Sequence, residues 1–169
     1  MTDAADRAAM LKAQVNRFFE LVPPETDLLL AVLKAHLLIE EHLHATIVAW
    51  VRFPKPLEHA RFTFSQRLRL AQAIAGRLMM PFVWEAVEEL NNVRNKLVHR
   101  AEPGSIGNLL RKFVRICDSS EKLQSIFKGP RPKEISYTYL AMVTAMVAVT
   151  PEVIRILANP QHNNAAAVH

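Results

Sequence analysis

The 169 residues include one cysteine, four glycines and two tryptophans, and no uninterrupted apolar run of membrane length. Cys117 alone can build neither a disulfide framework nor a thiolate zinc site. Four glycines leave no glycine-rich phosphate loop, which argues against a nucleotide-binding domain of that kind. The longest uncharged stretch, Ile135 to Pro151, is shorter than the roughly 20 residues a bilayer requires and carries two tyrosines and three threonines, so it reads as a buried helix. Met1 to Arg7 leads directly into a polar helical pattern instead of the charged and apolar regions of a secretory leader, and the chain reads as cytoplasmic with no membrane partner. No period-two alternation, Asn-Gly hairpin or internal repeat signals a strand or a repeat array.

Half of the residues are apolar and the formal net charge is +5, a composition that excludes a disordered chain and gives a mild attraction for polyanions. The length suits one domain, expected over 1–158, with a disordered tail over 159–169. Asp3 is placed to cap a helix running to about Val22, with Met10, Leu11, Val15, Phe18 and Phe19 at three-to-four spacing before Pro23-Pro24. Thr26 opens a longer helix to about Val51, whose apolar stripe is read as Leu29, Leu30, Leu33, Leu37, Leu43, Ile47 and Trp50. Arg52 to Leu57 contains two prolines and reads as a loop where the chain turns back. Ser65 is expected to cap Gln66 to Ala75, which Gly76 ends.

Pro81 suits the first turn of the next helix, with Phe82, Val83, Trp84, Val87, Leu90, Val93, Leu97 and Val98 on its apolar face until Glu102-Pro103-Gly104 breaks it. Ser105 then caps a basic helix from Ile106 to Cys117, and Glu134 or Ser136 begins a last helix toward Leu157. Short connections between long amphipathic helices predict an all-α antiparallel bundle of about five to seven helices.

Chemistry concentrates on the Pro81 helix. Asn91, Asn95 and His99 recur every four residues and form one ladder, flanked by Asn92 and Arg94. Asparagine is a poor helix former, so this cluster costs propensity that a functional site would offset. Arg94 supplies a permanent cationic fork suited to phosphate, and His99, in the last turn, a group that gives or takes a proton near neutral pH. That pair suits RNA cleavage by the RNA's own 2′-hydroxyl, with no metal and no cofactor. Five residues rotate His99 about 140° from Arg94 on an ideal helix, so the pair reaches one phosphate more easily when two chains share a site across a twofold axis.

Among the carboxylates open to Arg94, namely Glu40, Glu41 and Glu88, Glu40 is the expected orienting partner. Lys96 and Arg100 beside the ladder, with Arg111, Lys112 and Arg115 of the basic helix, are the cations expected to contact RNA, although a solvated face is the commoner use of such residues. His36, His42 and His44 lack the spacing that places ligands on one helical face, so no metal site is expected. Met79-Met80 reads as core or interface filling.

The segment R-N-K-L-V-H, Arg94 to His99, resembles the motif of the HEPN superfamily, in which Arg, a polar residue and then His close a late helix. L-L-I-E-E-H-L-H and F-S-Q-R-L-R-L-A upstream extend the likeness over about Leu28 to His99, in a layout similar to the mannitol-operon-repressor branch. The resemblance implies a helical domain that dimerises with its motifs facing each other. It implies a metal-independent endoribonuclease, of the sort found in toxin–antitoxin and phage-defence systems, restrained by an antitoxin or regulatory protein. Arg94 and Asn95 would bind or orient phosphate and His99 would carry acid–base chemistry. Other members with no known nuclease activity imply the alternative, a binding module such as a transcriptional co-repressor.

Overall fold

A computed structural model describes residues 4–23, 26–75, 81–99, 103–118, 142, 145–150 and 153. They form an all-α bundle whose elements are α1 (Ala4–Leu21), α2 (Leu28–Trp50), a short 3-10 turn (Lys55–Leu57), α3 (Phe64–Ala75), α4 (Pro81–Val98) and α5 (Pro103–Asp118). Residues 145–148 add a further helical stretch. The expected Asp3 cap, the Glu134 or Ser136 helix start, its end near Leu157, the tail over 159–169, Gly76, the Met79-Met80 pair and Arg100 lie outside the described residues. No helix among the described residues is long and apolar enough to cross a membrane.

The helix starts refine the sequence reading. Asp27, not Thr26, caps α2: its Oδ1 accepts from the amides of Leu29 at 3.0 Å and Leu30 at 3.2 Å. A carboxylate there satisfies orphan amides and also meets the positive end of the helix dipole. At α3 the cap is Thr63 and not Ser65. The Gln66 amide donates to Thr63 Oγ1 at 3.3 Å while Gln66 Oε1 accepts from the Thr63 amide at 2.9 Å. This reciprocal capping box starts α3 at Phe64 and fixes the backbone beside the site described below. α5 begins at Pro103, so the proline opens this helix, as suits a residue without an amide proton at the first position, and Ser105 lies inside it.

α2 is the centre of the bundle, but its inward side differs from the expected stripe. Ala31, Val32, Ala35, Leu38, Ile39, Leu43 and Ile47 are buried, together with His36, His42 and Thr46. Leu29, Leu30, Leu37 and Trp50 are exposed, Leu37 by 63 %. A helix apolar around most of its circumference has no single face that periodicity can select. The small side chains of Ala31 and Ala35 are fully buried and let neighbouring helices approach closely.

α1 packs antiparallel to α2: Lys34 Nζ donates to the Leu21 carbonyl at 2.9 Å near one end, and Arg17 pairs with Glu41 at 2.8 Å further along. α4 and α5 form an antiparallel hairpin across their short connection, joined midway by Lys112 and Glu89 at 2.7 Å. Between α2 and α3 the contacts His36 with Phe64 and Glu40 with Arg67 advance together along both helices, so residues 51–63 carry the chain back along α2 before α3 begins. Thr46 Oγ1 donates to the Val149 carbonyl at 2.9 Å, tying the C-terminal helical stretch to α2. Phe18, Ile39, Leu43, Leu90, Phe113, Met142 and Met146 are fully buried in the shared core.

Candidate functional site

α4 is amphipathic in two stages. Val83, Trp84, Ala86, Val87, Leu90 and Val93 bury its inner side. Towards its C-terminal end the face that carried Trp84 and Val87 continues as Asn91, Arg94 and Asn95. Polar side chains cannot fill the apolar core as their predecessors do, and the helix there borders a recess of about 320 Å³. α2 contributes His36 and Glu40 to its wall, the capping turn of α3 contributes Thr63, Phe64 and Ser65, and α4 contributes Asn91, Arg94 and Asn95.

Arg94 is half-buried and its Nη1 donates to Asn95 Oδ1 at 3.2 Å. The expected pairing with Glu40 does not form. Glu40 instead receives Arg67 from α3, while Glu41 receives Arg17 from α1 and Glu88 receives Arg69 from α3. Every carboxylate open to Arg94 on sequence grounds is thus taken by an arginine of another helix, and among the described residues none lies in salt-bridge range of Arg94. Glu40 remains at the recess as the partner of Arg67.

His36 is the member of this site that sequence reasoning passed over, set aside together with His42 and His44 as a poor metal-ligand pattern. Its ring stacks on Phe64 with centroids 4.2 Å apart and planes 24° apart, and Nε2 lies 3.0 Å from Asn91 Oδ1. Burial pushes its pKa below the ordinary 6.5; the Asn91 hydrogen bond and the Glu40 charge work against that shift, and the Arg94 charge reinforces it. The signal available in the sequence was a histidine surrounded by the apolar residues of α2 on a helix that must pack against the polar ladder of α4.

His99 is exposed just past the last residue of α4, where its amide donates to the Asn95 carbonyl at 3.1 Å. It does not line the recess. Of the ladder, Asn91 and Asn95 therefore share the recess with Arg94 while His99 stands outside it. Leu97 packs partly against the core, but Val98, expected on the apolar face of the helix, is 49 % exposed.

The basic residues divide. Lys96, Arg111 and Arg115 are exposed, and Arg111 bonds Asn108 on its own helix. Lys112 has a structural partner: Nζ reaches Oε2 of Glu89, a buried carboxylate that the sequence did not single out. Among the described residues no three His, Cys, Asp or Glu side chains gather as metal ligands. No sequence family matches the chain, and neither a curated protein nor a solved structure shows significant similarity to it.

Proposed function

We propose that this protein is a metal-independent endoribonuclease of HEPN type, acting as a homodimer, with Arg94 and Asn95 at the scissile phosphate and His99 in proton transfer. The observation that carries the reading is Arg94 in a polar recess, its guanidinium oriented by Asn95 and not engaged by a carboxylate among the described residues. An arginine held at a helix end by an amide oxygen keeps its remaining donors for an anionic ligand.

In the reaction a base takes the proton of the RNA 2′-hydroxyl, and the 2′-oxygen bonds to phosphorus. The bond from phosphorus to the 5′-oxygen then breaks, with an acid protonating the departing oxygen. The products are a 2′,3′-cyclic phosphate and a 5′-hydroxyl. Arg94 offsets the charge that grows on the phosphoryl oxygens, and His99 supplies proton transfer. Because His99 lies outside the recess of its own chain, the site is completed by the motif of a second copy. The exposed Leu37 and Val98 support such an association, Val98 lying two turns beyond Asn91 on the same face of α4. By the same resemblance, the enzyme is a toxin or phage-defence nuclease restrained by an antitoxin.

The separation of His99 from the recess equally suits a second reading, a binding module that holds an anionic partner without cutting it. The discriminating experiment expresses wild type, Arg94→Ala and His99→Ala side by side, following growth and cellular RNA integrity, and then incubates each purified protein with labelled single-stranded RNA in EDTA. Wild-type cleavage lost in both variants supports the nuclease. Intact RNA with all three proteins leaves the binding module.

A further inference from the structure

The side chains around Arg94 have a polarity that follows from which atoms are already engaged. Arginine only donates hydrogen bonds, so its contact with Asn95 fixes the amide oxygen of Asn95 toward Arg94 and turns the NH2 group away. On the other side, Asn91 Oδ1 is taken by His36 Nε2. The NH2 groups of Asn91 and Asn95 have no hydrogen-bond partner among the described residues, and neither is a buried unsatisfied atom. Both amide nitrogens thus belong to recess-lining residues and have no partner among the described residues.

We propose that His36 is a positioning residue which, by donating from Nε2 to Asn91, directs the Asn91 NH2 group into the recess and makes it the third donor of an oxyanion site completed by Arg94 and Asn95. The ligand class is a phosphate group, whose oxygens accept from a guanidinium and two amides at once. This rests on the reading of Arg94 as a phosphate ligand and adds to it a residue outside the motif. The stack of His36 on Phe64 holds the ring plane, and the Thr63–Gln66 capping box holds Phe64 at the head of α3. The proton on His36 decides the polarity of the recess. With Nε2 protonated, Asn91 must turn its oxygen to the ring and its donors outward, whereas a bare Nε2 would call for the reverse.

The test uses the full chain, inorganic phosphate as the probe and sodium chloride as the ionic-strength control. Nitrogen-15 NMR reads the His36 tautomer directly, and a titration follows the side-chain amide resonances of Asn91 and Asn95. The expected result is an Nε2-protonated ring and saturable shifts of both amides that chloride does not reproduce. Asn91→Asp, nearly the same shape but an acceptor in place of a donor, should weaken phosphate binding by at least about tenfold, the loss of one hydrogen bond to a charged group. His36→Gln, whose amide nitrogen takes the place of Nε2, should bind within about threefold of wild type, while His36→Asn, which cannot reach, should fall by roughly tenfold. Lys12→Ala, an exposed cation on α1, should leave binding unchanged.

An Nδ1-protonated ring in the wild type, amide resonances indifferent to phosphate, or Asn91→Asp binding at wild-type strength would each overturn the proposal, and the first two need no variant to fold. Failure of the ribonuclease reading looks different: phosphate moves the Asn91 and Asn95 amides but RNA stays intact. RNA cut by a protein whose Asn91 amide ignores phosphate removes this site and leaves the nuclease.

Discussion

Lys112 Nζ of α5 lies 2.7 Å from Oε2 of Glu89 on α4, an exposed cation set against a carboxylate only 3 % exposed. Asn92 adds a longer contact to the same oxygen at 3.5 Å, and Glu89 Oε1 has no partner among the described residues. Lys112 thus closes the α4–α5 hairpin over a charge that would otherwise be buried alone.

The first prediction follows. Lys112→Ala should lower the melting temperature clearly, because it strands Glu89, whereas Arg111→Ala should stay within roughly 0.5 kcal/mol of wild type, as surface substitutions do. The Lys112 pKa is raised above 10.5, first by its hydrogen bond to Glu89 and then by that residue's charge. A raised lysine pKa contributes stability that is complete below 10.5 and lost as the pH climbs through the folded value. Chemical denaturation at neutral pH and near pH 11 checks both parts. Equal melting of Lys112→Ala and Arg111→Ala would dismiss the structural role and return Lys112 to the basic face.

His36 predicts acid sensitivity of the opposite sense. Burial holds its folded pKa below the ordinary 6.5, so as the pH falls below 6.5 the unfolded chain takes up the proton first and stability declines; above 6.5 the group contributes nothing. The charged groups around it are Glu40 of α2, with its partner Arg67 of α3, and Arg94 of α4. Urea midpoints measured at pH 7.5 and pH 5.5 should separate more for wild type than for His36→Gln, which has nothing to protonate at that position. Identical acid losses in the two proteins would assign the effect elsewhere.

Much of this was legible in the sequence, for identifiable reasons. The proline and glycine punctuation located α1 to α5, and asparagines at four-residue spacing on α4 marked the recess because they cost helix propensity without adding to the core. The inward side of α2 was not legible, since Leu30 and Leu37 look as buryable as Leu38 and Ile39 until neighbouring helices are placed. Cap choice between Thr26 and Asp27, or Thr63 and Ser65, turns on which side chain reaches a free amide. The partner of Arg94 was not legible either, because Glu40, Glu41 and Glu88 each have an arginine from a different helix competing for them, and such competition is a property of the packed bundle. His36 was hidden for the same reason: its partners Asn91 and Phe64 lie on other helices.

Self-association is the third prediction. Leu37 and Val98 are 63 % and 49 % exposed, and in the proposed mechanism His99 reaches a phosphate held by Arg94 only across a second copy. Sedimentation at micromolar concentration should show a dimer, and Leu37→Glu or Val98→Glu should shift it toward monomer while leaving the fold intact, since neither side chain belongs to the core. A monomeric wild type at high micromolar concentration defeats the shared-site mechanism.

The fourth prediction separates chemistry from folding along one helix. His99 is exposed beyond the end of α4, so His99→Ala should cost at most about 1 kcal/mol of stability. Its loss should nevertheless reduce RNA cleavage by roughly 10² to 10⁴, the usual contribution of general acid–base catalysis. Arg94→Ala should also abolish cleavage and cost little in stability, because no buried carboxylate among the described residues depends on it. Leu90→Ala, at a fully buried position, should lose about 2–5 kcal/mol yet retain activity in the folded fraction. Val98→Ala should change stability by no more than about 0.5 kcal/mol, since that side chain is half in solvent. Thermal melts beside cleavage of a labelled single-stranded RNA, both with EDTA present, give the comparison. Full activity in His99→Ala would leave the proposed reaction without its proton-transfer group. Activity that vanishes in EDTA and returns with magnesium would replace the mechanism with a metal-dependent one.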